Sequence, residues 1–188
     1  MIIYSGILLW FQTHNLFYKK KTNFQETPPV SIIVAIRNGG DSLPHLLADL
    51  SAQDYSGEME FILVDDDSED STRALIQEKS ANDKRFIYES SLNGNLSLRF
   101  KKRALDAGIS RACYEWLLFT DADCHLKSGW VRGMTGYITN DVDYVIGFSE
   151  VERGNQLVTR FQAMDFFMLM TAARGAANSG KAWAWHAA

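Results

Sequence analysis

Seven residues, Val30-Ser31-Ile32-Ile33-Val34-Ala35-Ile36, form a nearly unbroken apolar, β-branched run that stops at Arg37-Asn38-Gly39-Gly40. A strand with one wet face alternates apolar and polar residues. A run without that alternation predicts a central strand covered on both sides. The pattern recurs where Phe61-Ile62-Leu63-Val64 runs into Asp65-Asp66-Asp67-Ser68-Glu69-Asp70. It recurs again where Trp116-Leu117-Leu118-Phe119 runs into Thr120-Asp121-Ala122-Asp123-Cys124-His125, which also predicts a strand buried on both faces. Shorter strands are expected at Ile87 to Glu89 and at Tyr144 to Phe148.

Helical patterns separate these strands. After the Gly39-Gly40 loop, Asp41 or Ser42 is a suitable cap, Pro44 fits a first turn, and Leu43, Leu46, Leu47 and Leu50 fall on one face. A second helix is expected from about Ser71. A third is expected from Lys101 to Ala112 with Ala104, Leu105, Ile109 and Ala112 inward, and another around Trp130 to Ile138. Strands alternating with helices predict an α/β fold with a mostly parallel sheet flanked by helices. Ligands of such sheets bind beyond the carboxyl ends of the strands. Three polar clusters collect there: Arg37-Asn38, Asp65 to Asp67, and Asp121 with Asp123.

The last cluster has specific chemistry. Alternation along a strand would aim Asp121 and Asp123 the same way, with the small Ala122 between them. Two carboxylates side by side repel each other, and a hard divalent cation relieves that repulsion. Mg²⁺ or Mn²⁺ takes such oxygen ligands and keeps positions free for water and phosphate. For an isolated Asp-x-Asp the competing explanation is a surface turn with two solvated side chains. His125 beside it is either a further ligand or an ordinary strand-end histidine.

The 188 residues suffice for one domain with a substantial core, and the 46% hydrophobic and 22% charged shares are those of a globular protein. A net charge of −4 without a basic stripe argues against nucleic acid as a partner. Two cysteines, Cys113 and Cys124, form neither a disulfide framework nor a zinc site. Residues 1–21 begin with the apolar stretch Met1 to Phe11, are interrupted by Gln12-Thr13-His14-Asn15, and end in Lys19-Lys20-Lys21. The stretch reads as a membrane-associated segment; the alternative is an amphipathic helix packed on the domain. If it spans a bilayer, the lysines place the remaining chain in the cytoplasm. Residues 22–29 read as a linker closed by Pro28-Pro29, residues 30–150 as the α/β domain, and residues 151–188 as the start of a further region.

Val64-Asp65-Asp66-Asp67-Ser68-Glu69-Asp70-Ser71-Thr72, the later Phe119-Thr120-Asp121-Ala122-Asp123, and Lys101-Lys102-Arg103-Ala104-Leu105 between them resemble, in order, the signature of family 2 glycosyltransferases. That resemblance implies the GT-A nucleotide-diphospho-sugar fold and inverting transfer of a sugar from a nucleotide donor, usually UDP-linked, to a carbohydrate or lipid-linked acceptor. It makes residues 30–150 the nucleotide-sugar-binding domain and residues 151–188 the start of an acceptor-side region. It implies that Asp66 hydrogen-bonds the base, Asp121 approaches the ribose, and Asp123 holds Mn²⁺ or Mg²⁺ on the diphosphate. It also implies a basic residue near the base at Lys101, and donor contacts from Ala35, Arg37, Asn38, Asp65 and Ala122. Lys102 and Arg103 are assigned to a solvated helix face.

The chain departs from the family pattern in three places. Where the family's first strand commonly ends Pro-x-Tyr-Asn, this sequence reads Ala35-Ile36-Arg37-Asn38, so Arg37 either stacks on the base or pairs with an acidic neighbour. Phe100 replaces a glycine common before the helix lysine. The family's general base lies further downstream than any matching residue here, so it is expected beyond Ala188, and His186 is a weak substitute. The amphipathic stretch Leu157 to Ala173, with Phe166, Phe167, Met168 and Met170, reads as packing. The chain is therefore expected to be the donor-binding part of a longer enzyme. Two other classes stay open: a Mg²⁺-dependent nucleotidyl or phosphoryl transferase, and a non-catalytic module that kept the fold.

Overall fold

A computed structural model describes Thr13, residues 27–139, 145–147, 149 and the helix 157–178. The chain divides into two compact units, one spanning Asn23–Tyr137 and the other formed by the remaining residues at both ends. The expectations for residues 1–12 and 14–21, most of the 22–29 linker, both ends of the Tyr144 to Phe148 strand, and residues 179–188 lie outside the described residues. Val145, Ile146 and Gly147 are described and carry no strand pairing.

The first unit is a parallel sheet with helices on both faces. Its strands are β1 (Val30–Ile36), β2 (Met59–Asp65), β3 (Phe86–Ser90) and β4 (Trp116–Phe119), in the order β3-β2-β1-β4. All pairs are parallel, with Ile36 opposite Asp65 and Ile33 opposite Phe119. The helices are α1 (Leu43–Ser51), α2 (Thr72–Asn82), α3 (Lys101–Arg111) and α4 (Trp130–Thr135). Period-two alternation sorts the core into two layers. Val30, Ile32, Val34 and Ile36 join Phe61, Leu63 and Phe86 against Leu43, Leu46 and Leu50 of α1 and Ile76 of α2. Ile33, Ile62 and Val64 face Ala104 and Ala107 of α3. Both faces of β1 and β2 are covered, which is why their sequences show no polar alternation.

Two expectations are corrected. The inward face of α3 carries Ala104, Ala107 and Gly108, with Leu105 and Ala112 partly buried against the same cluster as expected, while Ile109 is 46% exposed. Close approach decided this face rather than side-chain size. A Cβ on Gly108 would sit 2.5 Å from Ile33 Cγ2, so only a hydrogen fits between helix and sheet. The strand before the Asp-Ala-Asp motif is also not buried on both faces. Among the described residues β4 is an edge strand paired only with β1, and Phe119 is 48% exposed.

The other unit contributes α5 (Leu157–Asn178), longer than its expected Leu157 to Ala173. Val158, Phe161, Met164 and Phe167 along it are each more than half exposed. Among the described residues no helix is long and apolar enough to cross a membrane.

Candidate nucleotide-sugar site

The chain leaves β1 for β2 on one side and returns to β4 on the other, so the sheet has its topological switch point between β1 and β4. A crevice at the carboxyl ends of such strands is the preferred ligand position in open α/β sheets. The three polar clusters read from the sequence belong to this edge.

The loops after β1 and β2 are joined to each other. Asn38 N–H donates to Ser68 Oγ at 3.0 Å, and Asn38 Oδ1 accepts from Glu69 N–H at 2.9 Å. Gly39 N–H donates to Thr72 Oγ1 and Gly40 N–H to Asp70 Oδ2, both at 2.8 Å. Asn38 and Asp67 have φ of 52° and 57°, a left-handed state that Asn and Asp tolerate better than most residues. Hydrogen bonds from Thr72, and then from Gly40 N–H, hold the Asp70 carboxyl below its ordinary pKa.

The neighbours Asp65 and Asp66 are placed differently. Alternation sends Asp65 to the same side as Phe61 and Leu63, beneath α2. There it is fully buried, with Oδ1 accepting from Ser68 N–H and Oδ2 from Arg73 Nε, each at 3.0 Å. Both oxygens serve the protein's own loop and helix. Asp66 continues the ladder with its N–H on Ile36 O at 2.8 Å and is 6% exposed. Its Oδ1 lies 3.9 Å from Arg103 Nη2, which also donates to Ser91 Oγ at 3.4 Å.

Arg103 therefore does not belong to the solvated face assigned to it. It leans over Asp66, and its Nε is buried without a hydrogen-bond partner among the described residues. No sequence signal marked this, because the contact depends on how the loop before α3 returns to the sheet. Lys101, two residues earlier, pairs with Asp121 Oδ1. The first turn of α3 thus places one cation on the carboxylate after β2 and another on the carboxylate after β4.

The Asp-Ala-Asp segment is a turn and not an extension of β4, closed by Cys124 N–H on Asp121 O at 3.2 Å. Asp121 and Asp123 are exposed, while Ala122 packs against the core. His125 is turned away, its Nδ1 3.6 Å from Asp49 and its ring edge-on to His45, which is the ordinary reading of that histidine. Arg37 is exposed and has no acidic partner among the described residues, and Ala35 is half-buried in β1.

Among the described residues no group of three or more His, Cys, Asp or Glu forms a metal cage. Mg²⁺ and Mn²⁺ do not require one: they commonly bind through one or two carboxylates, water and substrate phosphates. Two exposed, adjacent carboxylates at the open edge of the sheet fit that mode.

The family model of Glycosyl transferase family 2 matches residues 31–186. The chain belongs to that family. Among curated relatives it is 35% identical over 124 residues to the 4,4'-diaponeurosporenoate glycosyltransferase of Staphylococcus haemolyticus, covering 66% of this chain and 32% of that one. It is 30% identical over 172 residues to a poly-beta-1,6-N-acetyl-D-glucosamine synthase of Staphylococcus aureus, covering 88% of this chain and 40% of that one. The chain thus spans 32% to 40% of the length of these relatives. Among solved structures, a Pyrobaculum calidifontis mannosyltransferase in complex with GDP-Man and Mn²⁺ superposes with a TM-score of 0.62 at 19% identity. The match covers 73% of this family 2 chain and 41% of that one, and it shows a shared GT-A fold.

Proposed function

We propose that this chain carries the donor-binding part of an inverting, metal-dependent glycosyltransferase that acts at a membrane from the cytoplasmic side. The observation that supports the reading is that the first turn of α3 sets Lys101 on Asp121 after β4 and Arg103 beside Asp66 after β2, the two strands that flank β1. An ionised carboxylate only accepts hydrogen bonds, so Asp66 suits the imide N–H of a uracil base. Arg37, Asn38 and Ala35 line the β1 side of the donor. Lys101 supplies positive charge on the α3 side, and Asp65 acts through the loop it organises. Asp123, with Asp121 and Ala122 beside it, would hold Mn²⁺ or Mg²⁺ against the diphosphate. Bound there, the ion supplies charge neutralisation as the nucleoside diphosphate leaves.

In the transfer itself the acceptor oxygen bonds to the anomeric carbon from the face opposite the diphosphate. The bond from that carbon to the diphosphate breaks with its electron pair, and the acceptor proton passes to a base that this reading assigns to no described residue. The acceptor is a carbohydrate or lipid-linked hydroxyl.

Calorimetric titration of UDP and GDP into the chain, with and without Mn²⁺, tests the reading. One of the two nucleotides should bind in a Mn²⁺-dependent manner. The Asp123→Asn variant, shown by circular dichroism to be folded, should lose the dependence. A folded wild-type chain that binds neither nucleotide would sink the proposal.

A further inference from the structure

Phe100 is the cap residue of α3, with φ 53° and ψ −144°. Glycine enters this backbone state freely, whereas a residue with a Cβ does so only under strain. Its carbonyl accepts from Arg103 N–H at 2.9 Å and from Ala104 N–H at 3.3 Å, which fixes the start of the helix. Packing does not repay the strain, because the residue is 70% exposed. A large aromatic residue held in a costly conformation and left in solvent has no structural use for its side chain.

Its position supplies one. The residue that follows, Lys101, pairs with Asp121, and Arg103, two further on, faces Asp66. Phe100 therefore stands at the head of the turn that spans both carboxylates, at the open edge of the sheet. We infer that Phe100 is a base-stacking residue of the donor site: its ring lies against the face of the nucleotide base whose edge Asp66 reads. The inference rests on the donor-binding reading given above. Base–aromatic stacking tolerates any base because each has a π face.

Three variants of the full chain test it by titration of UDP and GDP with Mn²⁺, beside inorganic pyrophosphate with Mn²⁺ as a ligand without a base. Phe100→Ala and Phe100→Gly should each weaken nucleotide binding about tenfold, as expected for loss of one stacked base, and leave pyrophosphate binding unchanged. Phe100→Trp should bind as the wild type does. The glycine variant should melt higher than the alanine variant, since only glycine releases the backbone strain. Three results would overturn the inference: unchanged nucleotide affinity in both small variants, loss confined to one of them, or an equal loss for pyrophosphate. A wild-type chain that binds no nucleotide overturns the donor-site reading and this inference together, whereas binding that is indifferent to Phe100 overturns only the latter.

Discussion

Lys101 reaches across from the first turn of α3 to Asp121 in the turn after β4, joining two segments twenty residues apart in sequence. Both side chains are more than half exposed, at 58% and 57%, so water screens the pair and its contribution to stability is small. In the donor-binding reading proposed above its value lies in position, since it presents a cation beside the base. The Lys101→Met variant should keep its urea midpoint, with a stability change below about 1 kcal/mol. UDP affinity in the presence of Mn²⁺ should fall roughly tenfold, the usual scale for one charge-assisted contact. Paired urea melts and calorimetric titrations separate the two effects.

Asp65 should behave in the opposite way. Its buried carboxylate accepts from Ser68 N–H and Arg73 Nε, so Asp65→Ala leaves the amide without its partner and the loop without its anchor. A loss of about 2 kcal/mol is expected, within the range for unsatisfied buried groups. Equilibrium urea unfolding of the variant would measure it.

Gly108 tests the contact between α3 and the sheet. In Gly108→Ala the new methyl would meet Ile33 Cγ2 at 2.5 Å and Val64 Cγ2 at 3.1 Å. Overpacking of this kind costs about 1–3 kcal/mol, against roughly 1 kcal/mol gained from alanine's helix propensity. The variant should be destabilised on balance, and thermal unfolding by circular dichroism checks the sign. Ala107 beside it offers the same close packing without the clash.

Acid should loosen the joined loops. Hydrogen bonds from Thr72 and Gly40 lower the Asp70 pKa below its ordinary 3.8. A pair with Arg85 lowers that of Asp83 from the same value. A depressed carboxylate pKa contributes stability that is present above the unfolded value and lost as pH falls through the folded one. Stability should therefore drop on acidification below about pH 4. Asp70→Asn should flatten part of that drop in urea melts run between pH 6 and pH 3.

Much of this was legible in the sequence. The apolar runs gave β1 and β2, the leucine spacing gave α1, and the acidic clusters gave the sheet edge that carries the candidate site. Asp65 was half legible: counting by twos from Phe61 and Leu63 puts it on the α2 side, away from its neighbour Asp66. The inner face of α3 was legible at Ala104, Leu105 and Ala112 but not at its closest approach, because a helix that meets a sheet through Ala107 and Gly108 hides that contact behind residues too small to register as apolar. Arg103 gave no signal, since its contact with Asp66 is made by the loop of residues 94–100 and not by any spacing within the helix. The Asp-Ala-Asp segment was read as an extended strand end. A turn hydrogen bond from Cys124 to Asp121 presents the same two carboxylates by another geometry.

The loops after β1 and β2 are tied by four hydrogen bonds among residues 38–40 and 68–72, three of which end on backbone amides of the first loop. That side of the crevice is a fixed jaw, whose shape is set before any ligand arrives. Across from it, the start of α3 meets the turn after β4 through an exposed ion pair that water and phosphate can replace. The two sides of this edge are therefore unequally anchored, one bolted by four hydrogen bonds and the other latched by a solvent-exposed ion pair.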